Sequence, residues 1–129
     1  MPVSFALRHI PALISATALT FGGMWPLFNA KAAMLEFGFP ARIAESPAAA
    51  PVMAVGMVRT TALGLLMFIF YFRGETQILD TFLAVSGGYL GLVDSYVVWK
   101  QGQPKQAVFR LISSALFSAW GFAGWTSGA

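Results

Sequence analysis

Residues Ile78–Trp99 read ILDTFLAVSGGYLGLVDSYVVW. The run matches the roughly 20 residues that carry one helix across a bilayer. Asp94 stands near its far end, where a membrane span is ordinarily apolar. A carboxylate at that depth is costly without a partner, so Asp94 is a candidate functional group. Gly87 and Gly91 have the i, i+4 spacing that lets helix backbones approach closely. Asp94, three residues beyond Gly91, shares that face and is expected to point at a neighbouring helix.

The rest of the chain agrees with a membrane setting. Of its 129 residues, 57% are hydrophobic and 10% charged, and mean hydropathy is +0.70. A soluble domain carries nearer 25% charged residues. The isoelectric point near 9.7 comes from eight basic and five acidic residues. The bases sit mostly near span ends, which indicates topology and lipid headgroup contact, with no dense basic patch for nucleic acid. Cysteine is absent, which excludes disulfides and thiol chemistry. A single histidine, His9, and five scattered acids give no readable metal motif, and no cofactor is expected.

Four spans are expected, at about 9–28, 51–72, 78–99 and 105–125, in an all-α, antiparallel four-transmembrane-helix bundle forming a single domain. Arg8 and the following apolar run also resemble a signal peptide, but the run is long and Gly22-Gly23 is followed by bulky Met24-Trp25, which favours a retained span. Between the first two spans, Ala30–Phe37 is expected to form a short interfacial helix, capped by Gly38 and stopped by Pro40. Arg73–Thr76 is a tight turn, so the second and third spans are antiparallel neighbours. Counting Lys and Arg puts the loops after spans one and three on the cytoplasmic side.

At about 1.5 Å per residue, Arg59 lies on the order of 11 Å inside one membrane face, and Asp94 and Arg110 each about 8 Å. The loop carrying Lys31 and Glu36 caps that face. Asp94 with Arg59 makes the expected ion pair, and Glu36 is the candidate second carboxylate. Asn29, Tyr96 and Trp25 are the candidate substrate-binding residues. Arg110 is expected to reach for headgroups, like Lys31, Arg42, Lys100 and Lys105. His9 is expected at the interface, and Asp80 as a charge at a helix N-terminus.

Phe37-Gly38-Phe39-Pro40, Gly56-Met57-Val58-Arg59 with Leu63-Gly64, and Gly91-Leu92-Val93-Asp94 resemble the pattern of a group of small four-span membrane proteins of bacteria and fungi. The group is described only by a domain of unknown function. The resemblance covers roughly Leu13 to Phe122. It implies relatives in fungal secondary-metabolite clusters described as epoxide hydrolases or cyclases of polyketides. The pattern's Arg and Asp fall on Arg59 and Asp94.

Two functional readings follow. In one, a membrane enzyme opens an epoxide, or cyclises an apolar polyketide or terpenoid, by acid–base catalysis on a substrate entering from the lipid. In the other, Asp94–Arg59 is a structural ion pair in a non-catalytic scaffold. A proton-coupled exporter fits less well, because the first span holds no acid. Besides substrate and lipids, a second copy of the chain is a possible partner through Gly87 and Gly91. The endoplasmic reticulum is the expected location if the source is eukaryotic.

Overall fold

A computed structural model describes residues 4–128. Among these every regular element is helical: α1 (Ile10–Phe37), α2 (Ala41–Ala44), α3 (Ala49–Phe72), α4 (Thr76–Lys100) and α5 (Pro104–Phe122). A short 3-10 turn, Leu7–His9, leads into α1, and Ser86–Leu90 forms a π-helical turn within α4.

Three helices are long and apolar enough to cross a membrane: Leu7–Phe37, Ala49–Phe72 and Thr76–Lys100. They match the first three expected spans, and they suggest a membrane protein. The segment of the fourth expected span is helical as α5, but Lys105, Gln106, Arg110 and its serines leave it less apolar than the three helices that could cross a membrane.

Each long helix ends by the same device. Gly38, Gly74, Gly102 and Gly124 all take positive φ, between 71° and 116°. That left-handed conformation has little cost without a Cβ, and it lets the next amide reach back to an orphan carbonyl of the last turn. At the end of α1, the Phe39 N–H donates to the Met34 carbonyl at 3.0 Å, and Pro40 prevents continuation.

α1 is two helical pieces in sequence. Asn29 has φ −151° and ψ 85°, well outside the helical region. Pro26, three residues earlier, acts on the preceding turn through the Gly22 carbonyl and so is a separate interruption. The Asn29 side-chain oxygen accepts the Ala32 N–H at 3.0 Å, so it caps the second piece. The short helix expected over Ala30–Phe37 is therefore present, continuous with the preceding helix at a kink.

Two helix pairs carry the packing, and small residues decide both seams. Between α1 and α3, a Cβ on Gly23 would strike Thr61, and one on Gly64 would strike Thr20. The Thr61 hydroxyl donates to the Thr20 carbonyl at 2.9 Å across this contact. Between α4 and α5, Gly87 and Gly91 receive Ser114 and Ser118, and Gly121 receives the α4 backbone at Asp80 and Ala84. The Ser118 hydroxyl donates to the Ala84 carbonyl at 2.8 Å. Such close approach is how helices associate where hydrophobic burial gives little drive. The face expected from Gly87 and Gly91 is thus used within the chain, against α5.

The pairs meet in a core of Ala12, Ala16, Met67, Tyr71, Leu79 and Leu83, with Phe82, Phe117 and Trp120 packed around it. This core lies near the start of α1, the end of α3 and the start of α4, so the assembly is closed at that end. Toward the other end α3 departs from α4, packing on it chiefly along Thr76–Val85. The space left there holds the candidate site.

Candidate functional site

A cavity of about 950 Å³ lies between the two helix pairs at the open end. Its walls follow helical spacing. On α3 they are Val52, Met53, Gly56 and Thr60, one face of the helix at steps of three and four. From α4 the cavity receives Ser86, Leu90 and Asp94, and from α5 Arg110, Ser114 and Phe117. The lining is mostly apolar, with its charges gathered in one place, as small-molecule sites usually are.

Those charges are Asp94, Glu36 and Arg110. Arg110 Nη1 stands 4.0 Å from Asp94 Oδ2, with the two side chains 28% and 35% exposed. Close charge-assisted bonds run nearer 2.7–2.9 Å, so this pair is loose and keeps capacity for a third group. Arg110 is fixed from its other side. Its Nε–H donates to the Phe37 carbonyl at 2.6 Å, and its guanidinium lies 3.8 Å from the centre of the Phe37 ring. Phe37 stacks on Phe39 at 4.9 Å. The carbonyl belongs to the last turn of α1, where a cation also meets the negative end of the helix dipole.

The cap over this end is residues 30–45. Lys31 pairs with Glu45 at 3.3 Å, and Arg42 donates to the Gln101 side chain at 2.7 Å. Both contacts are exposed. Glu36 is exposed on the cap and also lines the cavity, placing it at the rim.

The site residues expected from sequence divide clearly. Asp94, Glu36 and Trp25 line the cavity. Arg59 does not: it is exposed, and its Nη1 donates to the Val55 carbonyl of its own helix at 2.7 Å. The expected Asp94–Arg59 pair is replaced by Asp94–Arg110. The physical reason is rotation. Thr61 and Gly64 must face α1, and Arg59, two residues from Thr61, is carried to another side of α3. Equal depth of about 8 Å for Asp94 and Arg110 was the available signal. Asn29 lies off the cavity as a helix cap. Tyr96 is 61% exposed, with the Lys100 ammonium 5.8 Å from its ring.

Other buried polar groups gather at the closed end. Asp80 accepts the backbone N–H groups of Thr126 and Ser127 at 3.0 and 2.9 Å. His9 is buried, unlike the interfacial position expected for it, with Nδ1 3.2 Å from the Tyr71 hydroxyl. Asp80 thus holds the residues after α5 against the start of α4.

The family described as a domain of unknown function (DUF4267) matches residues 16–124, and the chain belongs to that family. No curated protein and no solved structure matches it.

Proposed function

We propose that this DUF4267 chain is an integral membrane enzyme that performs acid–base chemistry on an apolar small molecule, opening an epoxide or cyclising a polyketide or terpenoid. The supporting observation is the cavity of about 950 Å³ with two carboxyls and one guanidinium converging at its end. The chain crosses the membrane four times as an antiparallel bundle. In support, α5 turns Val108, Phe109, Ile112 and Leu116 outward, an apolar face that water would not favour. The gap between α3 and α4 beyond Val85 opens the cavity sideways, so substrate enters from the lipid.

Two carboxylates and one guanidinium sum to one negative charge. In the proposed reaction Asp94, inside the cavity beside Arg110, enters protonated, and Glu36 at the exposed rim enters as carboxylate. The site then holds one acid and one base. Glu36, at the rim, is where water arrives and serves as the base. Asp94, inside, gives its proton to the epoxide oxygen as the C–O bond breaks. Water, or a hydroxyl of the substrate itself, attacks the ring carbon and passes its proton to Glu36. The product is a diol in the first case and a cyclic ether bearing a hydroxyl in the second. A proton returning from Glu36 to Asp94 restores the site. Arg110 orients the carboxyls and stabilises developing negative charge, the part expected of Arg59.

A purely structural ion pair predicts a filled, dry contact. The 4.0 Å separation beside an open cavity favours the catalytic reading. The test is turnover of a panel of lipophilic epoxides by purified protein in bilayers, with products identified by mass spectrometry. Wild type should form diols or cyclised isomers, while Asp94→Asn and Glu36→Gln remain folded and inactive. Full turnover by both variants, or none by wild type across the panel, overturns the proposal.

A further inference from the structure

The glycines within the long helices divide by what a Cβ would meet, with Gly88 intermediate at 3.2 Å from the Ser118 hydroxyl. Gly23, Gly64, Gly87, Gly91 and Gly121 lie where a Cβ would strike a neighbouring helix, so the packing requires them. At Gly22 and Gly56 a Cβ would meet nothing within 4 Å. Neither has a positive φ. Glycine inside a helix weakens it relative to alanine, and no contact in the fold compensates here.

Both positions line the cavity. Gly22 lies in the α1 stripe that also contains Ser15, Ala18 and Trp25, and Gly56 is central in the α3 stripe of Val52, Met53 and Thr60. Counting from the turn at Gly74, Gly56 is 18 residues before it and Asp94 is 20 after it. The antiparallel run of α3 and α4 therefore sets the bare backbone of Gly56 at nearly the depth of the Asp94 carboxyl.

We infer that Gly22 and Gly56, the latter level with Asp94 and the former about 10 Å nearer the closed end, are specificity-determining positions, which widen the cavity to admit a rigid, ring-sized apolar body. A single acyl chain is narrow enough to pass alanines or leucines at these places. A fused-ring or polycyclic molecule with one oxygen function near the ring is not. The cavity volume, at the upper end of the roughly 300–1,000 Å³ typical of ligand pockets, agrees with such a ligand. This inference rests on the cavity being the ligand site proposed above.

The test uses two photoreactive diazirine probes in bilayers containing the full chain, one a sterol-like ring system and the other a straight-chain alcohol. Labelled peptides are located by mass spectrometry. In wild type the ring probe should label peptides carrying Trp25, Met53 or Met57. Gly22→Leu and Gly56→Leu should lower that labelling by about tenfold, a selectivity within reach of apolar pocket contacts. Straight-chain labelling should persist, and thermal midpoints should stay equal or rise. Gly22→Ala and Gly56→Ala provide a milder pair, with partial loss, if either leucine variant fails to fold. Undiminished ring-probe labelling in the variants overturns the role of the glycines and leaves the cavity standing as a binding site. Absence of cavity labelling by both probes in wild type overturns the site reading, and this inference with it.

Discussion

Arg110 holds Phe37 in two ways at once, with its Nε–H 2.6 Å from the carbonyl and its guanidinium 3.8 Å from the ring centre. One side chain of α5 thereby anchors the last turn of α1 while its other edge faces Asp94. Arg110→Met should loosen the cap and leave Asp94 without its cation. The loss of a hydrogen bond from a charged donor is worth about 2 kcal/mol. It should register as a lower thermal midpoint and faster tryptic cleavage at Lys31 and Arg42. Arg110→Lys keeps the charge but not the planar stack, and should fall between.

Arg59 provides the contrast. It turns toward the Val55 carbonyl of its own helix and away from the cavity. Arg59→Met should change stability by no more than about 0.5 kcal/mol and leave turnover near wild type. Asp94→Asn should abolish turnover. Parallel turnover assays of Arg59→Met and Arg110→Met, with loss expected only in the second, distinguish Arg110 from Arg59 as the working cation.

Two glycine-to-alanine substitutions should act in opposite directions. At Gly91 the new methyl runs into Ser114, and overpacking of this kind costs about 1–3 kcal/mol. At Gly56 the methyl enters open space, and the gain in helix propensity is up to about 1 kcal/mol. Thermal unfolding in one detergent compares them directly.

Asp80→Asn should release the C-terminal turn. The carboxylate accepts two backbone amides, from Thr126 and Ser127, and the amide side chain offers one acceptor in their place. A loss of about 2 kcal/mol is expected for weakened bonds to a charged acceptor. Trp125 packs edge-on against Trp120 at 4.9 Å, so tryptophan emission should change with it.

Asn29→Ala should remove about 1 kcal/mol of helix capping. The effect should be local. Amide hydrogen exchange should quicken in the turn containing Ala32, while the α1–α3 seam at Thr20 and Thr61 keeps its protection.

The sequence was most legible where one dimension sufficed. Hydropathy located helices close to those found, with α3 and α4 each starting two residues before the expected spans. Gly38 and Pro40 marked the end of the short cap helix. Depth followed from counting, and it put three charges at one level. Rotation about each helix axis did not follow, and it separates Arg110 from Arg59. The contacts that set rotation, Gly23 on Thr61 and Gly64 on Thr20, join residues some forty positions apart. Asn29 shows a different difficulty. Its amide suits a substrate contact or a helix cap equally well, and only the backbone break between Phe28 and Ala30 decides between them. The role of Asp80 depended on residues after α5 that carry no motif.

The uneven joining of the two helix pairs has a mechanical consequence. Each pair is stitched along its length by glycine and hydroxyl contacts, while between pairs the firm contacts lie at the closed end. The pairs are the jaws of a peg, and the Tyr71–Leu79–Leu83 core is its pivot. Rocking the jaws disturbs neither seam, and across the opening it meets Phe37–Arg110 and Arg42–Gln101. The width of the open end is therefore governed by a latch of a few side chains, and residues in that latch can tune it without touching the pivot.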